Sequence, residues 1–345
     1  MPRRQQRPTM KDVARLAGVS IQTVSVVVNG KREISPETRE RVLAAIKQLG
    51  YQPYNVARSL RTGSTRTIAL VVSDITNPFF ATMANTVEDY AHASGYNLIL
   101  YNTHSDLDRE RKYIEIATQR GVDGLLFVAT KDETRGLETL KTAGIPVVAI
   151  DRIPDNYNGP SVVLDNIKTG HLVAEHLLDL GHTRFAHISG PLDLLLSRER
   201  KSGFQETIAA RGLEPGPSVP GDDSWSCESG YRAMQTLLKS SPRPTAVFAA
   251  NDRMAIGAMR AIIEAGLKIP EDISVAGVDD IEFAAFQSPP LTTVRQSLVS
   301  VATCGITLLL DILQGKEPVE TQIVFEPKLV IRESTSPPGQ PARHP

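Results

Sequence analysis

Residues 9–29 read TMKDVARLAGVSIQTVSVVVN and decide how the start of the chain folds. Apolar residues recur every three or four positions on both sides of Gly18, a residue that readily takes the left-handed conformation that ends helices. Ser20 suits the N-cap of the next helix, because its hydroxyl can accept a hydrogen bond from a first-turn amide. The pattern predicts helices over 10–17 and 21–28 with a three-residue turn between them. This is a helix-turn-helix, whose second helix is narrow enough to enter the major groove of DNA.

A third helix is predicted over 36–49. Ser35 suits its N-cap, Pro36 its first position, and Gly50 its end. Apolar side chains at three- and four-residue spacing are expected to form one core for the three helices: Val13, Leu16, Ala17, Val24, Val27, Val28, Val42, Leu43, Ile46 and Leu49.

Positive charge is concentrated in this helical segment. Residues 1–66 contain 13 Lys and Arg but only 4 Asp and Glu, a net charge of +9, whereas the whole chain has a net charge of −1. A basic segment in an otherwise acidic chain favours contact with a polyanion such as nucleic acid. A basic surface that only faces solvent is the alternative that charge alone leaves open.

The rest of the chain alternates apolar runs with helical patterns. Continuous apolar strands separated by helices are typical of parallel sheets covered on both faces. Two such series predict two doubly wound α/β lobes, with a ligand cleft between them at the carboxyl ends of the strands. The apolar runs lie at 68–72, 96–101, 124–129, 146–150, 184–189, 246–250 and 273–278.

Composition and motifs exclude other classes of protein. The chain has 345 residues, of which 41% are hydrophobic and 22% charged, values typical of a packed globular protein with two or three domains. It has no apolar stretch suited to a membrane span or signal peptide, so we expect a cytoplasmic protein.

Cys227 and Cys304 have no metal-binding spacing, and we expect neither a metal nor a cofactor. Phosphate-loop, HExxH, GxSxG and GxGxxG motifs are absent, so we expect no enzyme; a triad assembled from distant residues stays the open alternative.

The segment 9–29 resembles the start of LacI/GalR family transcriptional regulators at nearly every diagnostic position. The resemblance covers essentially the whole chain, because that family also has a short hinge and a two-lobed, periplasmic-binding-protein-like core. It implies a homodimeric repressor that binds a pseudo-palindromic operator in double-stranded DNA under the control of a small-molecule effector. Induction by a sugar and corepression by a metabolite both fit this architecture. An exported solute-binding protein is the alternative class, but it needs an export signal and no basic helical segment.

The resemblance also implies domain boundaries. The last residues, STSPPGQPARHP, lack apolar periodicity and are expected to be disordered. We expect a helix-turn-helix domain over 1–51, a hinge helix and linker over 52–66, a core over 67–333 and a tail over 334–345. Within the core, the N-lobe is expected at about 67–164 and 297–325, and the C-lobe at about 165–296 and 326–333.

Three side chains of the second helix are predicted to contact bases. Gln22 can bind adenine N6 and N7 together, whereas Ile21 and Val26 can only contact apolar edges such as the thymine methyl. Val26 departs from the Arg or His that the family commonly has at this position, so the usual half-site is not expected. The resemblance implies phosphate contacts, for which helix capping or surface hydrogen bonding is the alternative, by Thr9, Ser20, Thr23, Ser25 and Asn29.

The segment YQPYNVARSLRTGSTRT, residues 51–67, resembles the family hinge. A helix over 55–60 is too short to be stable alone, so we expect it to form only on DNA beside a partner hinge. The resemblance implies that Leu60 wedges into the minor groove and kinks the operator, with Asn55 and Arg58 on the same DNA-binding segment. Packing of Leu60 within a linker is the alternative.

Polar and aromatic residues that follow the predicted strands suit a sugar or a related metabolite. Carboxylates and amides can bind hydroxyl groups, Arg offers a planar set of donors, and an aromatic ring can cover the apolar side of a sugar. Helix capping by the Asp residues and core packing of the Trp stay open. The residues that the resemblance assigns to the effector are Asp74, Phe79, Phe80, Asp151, Arg152, Leu196, Arg200, Trp225, Asn251, Asp279 and Gln296.

Three consecutive leucines, Leu194, Leu195 and Leu196, stand where many family members have polar residues. We expect one or two of them to line the cleft and to remove hydrogen bonds that a sugar or purine would use. The sequence therefore predicts an effector that is smaller or less polar than a typical sugar.

Overall fold

The structure is a computed structural model, and the chain divides into two compact units, Met1–Thr65 and Arg66–Pro345. Each unit has a hydrophobic core of its own, as expected of separate domains. The residues that the structure describes are 8–28, 34–51, 63–133, 136–155, 157–222 and 224–339.

The described part of the first unit contains α1 (Met10–Ala17), α2 (Ile21–Val28) and α3 (Pro36–Leu49). Gly18 ends α1 with a φ of 63°, which is the left-handed conformation predicted for it. Ser35 caps α3 by accepting a hydrogen bond from a first-turn amide at 3.3 Å. Small and β-branched side chains form most of the core: Val13, Ala14, Ala17, Val24, Val27, Val42, Ala45 and Tyr51.

Two leucines expected in this core lie on the surface instead. Leu16 is 45% exposed and Leu43 is 51% exposed. Ala14 and Ala45 are buried in their place. Because alanines let helices approach closely, the longer neighbouring leucines are left at the edge of the contact.

The first lobe of the second unit is built on a parallel sheet. Its strands are β1 (Thr67–Val72), β2 (Asn97–Asn102), β3 (Gly124–Phe127), β4 (Val147–Ile150), β5 (Ser161–Leu164) and β11 (Gln322–Phe325). Their order is β11-β5-β4-β3-β1-β2, and these neighbours pair in parallel.

The second lobe repeats this architecture with one antiparallel edge. Its strands are β6 (Phe185–Ser189), β7 (Ser218–Pro220), β8 (Ala246–Ala249), β9 (Ser274–Asp279), β10 (Thr292–Arg295) and β12 (Lys328–Val330). Their order is β12-β10-β9-β8-β6-β7, and only β12 runs antiparallel to its neighbour in this sheet.

Helices cover both faces of each sheet, which explains the continuous apolar strands. In β1, Ile68, Leu70 and Val72 contact one core while Ala69 and Val71 contact another on the opposite face. No helix among the described residues is both long and apolar enough to cross a membrane. The helices are α4 (Pro78–Ala93), α5 (Leu107–Arg120), α6 (Leu137–Thr142), α7 (Asn166–Asp179), α8 (Leu195–Ala210), α9 (Cys227–Leu237), α10 (Asp252–Glu264), α11 (Glu282–Ala285) and α12 (Leu298–Leu313).

The described chain passes between the lobes after β5, before α12 and between β11 and β12. Helix α12 packs on α4 and β4 of the first lobe. The carboxyl ends of the parallel strands border the cleft between the lobes, where open α/β sheets bind ligands. The predicted fold class, a helical head followed by a two-lobed α/β core, is confirmed.

The prediction of a disordered tail from Ser334 is wrong for its first residues. Ser334 is fully buried, and its hydroxyl donates to the Val275 carbonyl at 2.6 Å and accepts from Thr292 N at 2.7 Å. Ser336 is also buried. Ser334 is held to strands β9 and β10 through its hydroxyl, and the backbone amide and carbonyl of Ser336 bond to the Ser274 hydroxyl of β9. A search for apolar periodicity misses such contacts. Residues 340–345 of the tail lie outside the described part.

Candidate functional site

Helix α2 presents its first residues at the surface. Ile21 is 44% exposed and Gln22 is also exposed, whereas Val24 and Val27 are buried in the core of the first unit. Val26 is half-buried. Two of the three side chains predicted to contact bases are therefore on the accessible surface of α2, and the third is partly accessible.

Two of the hydroxyl groups that are predicted to bind phosphate lie at the start of a helix. The Ser20 hydroxyl accepts a hydrogen bond from Thr23 N at 3.0 Å, and the two hydroxyl oxygens are 2.9 Å apart. The Thr9 hydroxyl donates to the Asp12 carboxylate at 2.7 Å, and the hydrogen bonds from Thr9 lower the pKa of Asp12. The Ser20 hydroxyl therefore caps α2, and at the start of α1 the Asp12 carboxylate accepts from both Thr9 N, at 2.9 Å, and the Thr9 hydroxyl. Phosphate contact by Thr9, Ser20, Thr23 and Ser25 stays a prediction.

Four residues predicted to bind DNA lie outside the described residues: Asn29, Asn55, Arg58 and Leu60. Their roles, and the hinge helix predicted over 55–60, rest on the sequence.

A small cavity between the two lobes, here called the inner cavity, brings together most of the residues predicted to bind the effector. Its volume is about 20 Å³, which is room for about one water molecule. Ten of the eleven predicted residues line it, together with Asn77: Phe79, Phe80, Asp151, Arg152, Leu196, Arg200, Trp225, Asn251, Asp279 and Gln296.

Strained backbone positions lie around this cavity. Asp151 follows β4 and Asp279 ends β9. The φ angles are 66° for Asp151, 48° for Trp225 and 119° for Asp279. Non-glycine residues adopt this region only where their surroundings impose it, and such positions cluster at functional sites.

Asn77 and Asn251 line the inner cavity and also cap helices. The Asn77 side-chain oxygen accepts from Phe79 N at 3.1 Å, at the start of α4. The Asn251 side-chain oxygen accepts from Met254 N at 2.8 Å, and its amide donates to the Trp225 carbonyl at 3.2 Å. Capping fixes the orientation of both amides at the cavity wall.

Buried charged groups dominate the second-lobe side of the cavity. Arg200 is 3% exposed, and its guanidinium donates to Asn166 Oδ1 at 2.9 Å and to the Ala250 carbonyl at 2.8 Å. The Asp279 carboxyl accepts from Gln296 Nε2 at 2.5 Å. Burial raises the pKa of Asp279 to about 7, although Arg200 acts to lower it. This carboxyl therefore changes protonation near neutral pH.

The Arg152 guanidinium lies between two aromatic rings. Its central carbon is 5.6 Å from the ring centroid of Phe80 and 5.6 Å from that of Trp225. Burial lowers the pKa of Arg152, while the Asp151 carboxylate, 3.6 Å away, raises it. Arg152 Nε and Gln296 Oε1 are buried without a hydrogen-bond partner. Because buried polar atoms are nearly always paired, this donor and this acceptor are suited to a ligand.

Asp74 does not line the inner cavity, and its contact with the effector stays a prediction. Its carboxylate pairs with Arg253 at 3.0 Å and accepts from the Thr76 hydroxyl at 2.7 Å. Burial opposes its ionisation, but these hydrogen bonds outweigh burial and lower the pKa of Asp74. The pair joins the first lobe to α10 of the second, so Asp74 contacts the opposite lobe.

The three leucines occupy different environments. Leu196 is 6% exposed and lines the inner cavity, as predicted for at least one of them. Leu194 is 2% exposed and packs in the core of the second lobe. Leu195 is 46% exposed.

Two further ion pairs join the lobes through residues that the sequence did not single out. Arg198 contacts Asp132 at 2.9 Å, and Lys131 contacts Asp193 at 2.5 Å. Asp132 also accepts from Leu195 N at 3.0 Å. The partners are 62 to 66 positions apart in sequence, and no local motif marks such pairs.

The described residues contain no group of three or more His, Cys, Asp or Glu side chains arranged to hold a metal ion.

Comparison with known proteins identifies both parts of the chain. Residues 9–54 match the family of bacterial regulatory proteins, lacI family, and residues 174–335 match a periplasmic binding protein-like domain. The HTH-type transcriptional repressor PurR of Aliivibrio salmonicida (strain LFI1238) is 36% identical over 327 residues, which cover 94% of this chain and 98% of the relative. PurR of Haemophilus influenzae (strain PittEE) is 37% identical over 330 residues, with the same coverage.

Solved structures agree with this assignment. The lac repressor dimer bound to operator and the anti-inducer ONPF has a TM-score of 0.86 and 31% identity, covering 96% of this chain and 100% of that chain. The complex of the transcriptional regulator CelR with cellobiose has a TM-score of 0.73 and 34% identity, covering 95% of this chain and 100% of that chain. These relatives are transcriptional regulators and not enzymes. The chain therefore belongs to the LacI/GalR family and is a DNA-binding transcriptional repressor controlled by a small-molecule effector.

Proposed function

We propose that this repressor acts in the cytoplasm as a homodimer on a pseudo-palindromic operator, and that its effector is a sugar or a related metabolite bound in the interlobe cleft. The observation that carries the proposal is the convergence of ten predicted side chains on the inner cavity, with a buried donor and a buried acceptor left without hydrogen-bond partners. A cleft that only packed the lobes together would pair these atoms internally.

The proposed operator contacts divide into two kinds. Gln22 reads an adenine, and Ile21 and Val26 contact apolar base edges. Contacts to phosphates and to the minor groove set the position of the helix without identifying bases. We assign these positioning contacts to Thr9, Ser20, Thr23, Ser25, Asn29, Asn55, Arg58 and Leu60.

The proposed effector contacts use the chemistry of the cleft. Arg152 Nε and Gln296 Oε1 offer one donor and one acceptor to hydroxyl groups. Asp279 and Asn251 add oxygen acceptors, and the buried Arg200 holds the wall together through its bonds to the second lobe. The bound effector would contact both lobes, so its binding depends on how far the cleft is closed.

Exposed apolar surface on the second lobe supports the homodimer. Ile263 is 48% exposed, Phe283 55% and Phe286 77%. A groove of about 590 Å³, lined in part by Tyr231 and Met259, also includes Ile263. Exposed apolar surface of this kind favours an interface, and two helix-turn-helix units related by a twofold axis match a palindromic operator. We expect the chain to sediment as a dimer at micromolar concentration and Phe286→Glu to shift it toward the monomer; a stable tetramer, or a wild-type monomer, would contradict this.

Selection of bound DNA from a random pool, with and without a panel of metabolites, tests the proposal. We expect enrichment of one inverted repeat, and at least one sugar or related metabolite that changes the yield of bound DNA. Absence of enrichment under every condition would contradict the operator assignment. Enrichment that no metabolite alters would contradict the effector assignment.

A further inference from the structure

A second cavity, here called the outer chamber, adjoins the inner cavity and is much larger. Its volume is about 210 Å³, against about 20 Å³ for the inner cavity. The two share Asp151, Arg152 and Leu196 in their walls. Since a water molecule occupies about 30 Å³ in the liquid, the outer chamber has room for a small substituted ring, whereas the inner cavity holds about one hydroxyl-sized group.

The outer chamber lies between the lobes. Strand β11 belongs to the first lobe and helix α8 to the second, while the start of α7 is where the chain passes from one lobe to the other. A molecule in this chamber would therefore contact both lobes. The further wall residues that matter here are Asp165, Asn166, Leu195, Glu199, Gln322 and Val324.

The aromatic rings that were expected to stack on a sugar are instead in contact with a side chain of the protein itself. The Arg152 guanidinium lies between the rings of Phe80 and Trp225, 5.6 Å from each centroid. Leu196, almost fully buried, closes another side of the inner cavity. A sugar ring stacked on Trp225 would have to displace Arg152 from its buried position.

The wall of the outer chamber has more carboxyl groups than cations. Carboxyl groups of Asp132, Asp151, Asp165 and Glu199 are in its wall, and among its described wall residues Arg152 is the one cation. Burial raises the pKa of Asp151 and of Glu199, which favours the neutral form of both carboxyls. Carboxyl oxygens accept hydrogen bonds from hydroxyl groups but repel phosphate and carboxylate groups.

We propose that the effector is an uncharged polyhydroxylated molecule whose ring occupies the outer chamber and which inserts only a hydroxyl-sized group into the inner cavity. This proposal replaces the expectation, drawn from the three consecutive leucines, of an effector smaller or less polar than a typical sugar. Arg152 Nε, which lies 3.6 Å from the Asp151 carboxylate but has no hydrogen-bond partner, donates to the effector where the two cavities meet. Leu195 covers the apolar edge of the ring, and Glu199 and Gln322 bind its hydroxyls. This inference rests on the proposed function, because it takes the interlobe cleft as the effector site.

The test is calorimetric titration of the full chain with a panel of uncharged mono- and disaccharides that includes ribose, glucose and cellobiose, with glucose 6-phosphate as the anionic match. Leu195→Trp fills the outer chamber, and Leu192→Trp is the control, since Leu192 is similarly exposed, 39% against 46%, but lines neither cavity. For the sugars that the wild type binds, we expect Leu195→Trp to weaken the Kd at least tenfold and Leu192→Trp to leave it within about twofold. Unchanged melting curves check that both variants fold.

Two results would overturn the outer-chamber assignment while leaving the proposed function intact: equal sugar affinity in Leu195→Trp and wild type, or tighter binding of glucose 6-phosphate than of glucose. If the wild type binds none of the uncharged sugars, the proposed effector class fails, and this inference fails with it.

Discussion

Two adjacent carboxyl groups at this cleft, those of Asp279 and Asp280, have pKa values shifted in opposite directions. Burial raises the pKa of Asp279 to about 7, with only partial compensation by Arg200. The next residue, Asp280, is also partly buried, but hydrogen bonds from Arg332 and Arg295 outweigh burial and lower its pKa. Adjacent carboxyls on one loop thus make opposite contributions to the pH dependence of stability.

The stability of the Asp279→Asn variant should increase relative to that of the wild type as pH rises. The folded state raises this pKa above its ordinary value of 3.8, so the stabilising contribution is complete below that value and is lost as pH rises toward 7. Asn does not titrate. Between pH 5 and pH 8, the free energy of unfolding of the variant minus that of the wild type should rise by roughly 1 to 3 kcal/mol in urea denaturation. Asp280→Asn is the control, with a flat difference over this range; an equally flat difference for Asp279→Asn would contradict the assignment.

Gln22→Ala should relax base preference at one position of each half-site. A bidentate side-chain contact discriminates between bases by about 1 to 3 kcal/mol, and its loss affects only the base that it reads. Competition binding with operators substituted one base pair at a time measures this. Gln48→Ala, the same change on the exposed side of α3, should leave the preference profile as it is. A wild-type profile in Gln22→Ala would remove the base-reading role.

Residue identities at strand ends could be predicted from the sequence, whereas their partners could not. Ten cleft residues were recognisable because the family resemblance assigned them to the effector, and some of them, such as Asp151, directly follow an apolar strand. Asp74 carries the same kind of signal, but Arg253, 179 positions away, takes its carboxylate. Long-range pairing of this kind depends on how the lobes close, which no local pattern encodes.

At the scale of elements, helix starts and parallel strands followed from caps and apolar runs. Segments that are held by hydrogen bonds between short polar side chains and backbone could not be predicted in this way. Residues 334–336 are an example. Their serine and threonine side chains are buried against β9 and β10 although the segment has no apolar periodicity.

Ser334→Ala should destabilise the second unit by about 1 to 3 kcal/mol. The change leaves the amide of Thr292 and the carbonyl of Val275, both bonded to the Ser334 hydroxyl, short of a partner in a buried place. Chemical denaturation followed by Trp fluorescence reports this, because Trp225 belongs to the same lobe. Ser300→Ala, at an exposed position of α12, should change stability by no more than about 0.5 kcal/mol. A Ser334→Ala variant as stable as the wild type would show that the segment is held by other contacts.

Leu60→Ala should weaken operator binding at least tenfold and leave effector affinity unchanged. The prediction follows from the hinge sequence: an apolar wedge that unstacks a base step is needed only on DNA. Gel-shift titration with the operator and calorimetry with the effector give the two readouts. Leu192→Ala serves as the matched leucine control outside the hinge. Equal operator affinity in Leu60→Ala and wild type would rule out the wedge.

At the scale of the whole molecule, cleft closure is what links the sites within the second unit. Among the described residues, ion pairs that join its lobes include Asp74–Arg253, Asp132–Arg198 and Lys131–Asp193. Each is partly exposed and contributes no more than about 1 kcal/mol, so these ion pairs add little to the cost of opening the lobes. An effector that contacts both walls can therefore shift the balance between open and closed arrangements, and with it the affinity for the operator.

The most direct measurement is operator affinity by fluorescence anisotropy, with and without a saturating sugar or metabolite that calorimetry shows to bind. A change in the operator Kd of about 5- to 150-fold is expected, matched by an equal change in effector affinity when operator is saturating, because coupling between two binding sites is reciprocal. An effector that binds the cleft yet leaves the operator Kd unaltered would contradict control of DNA binding from this cleft.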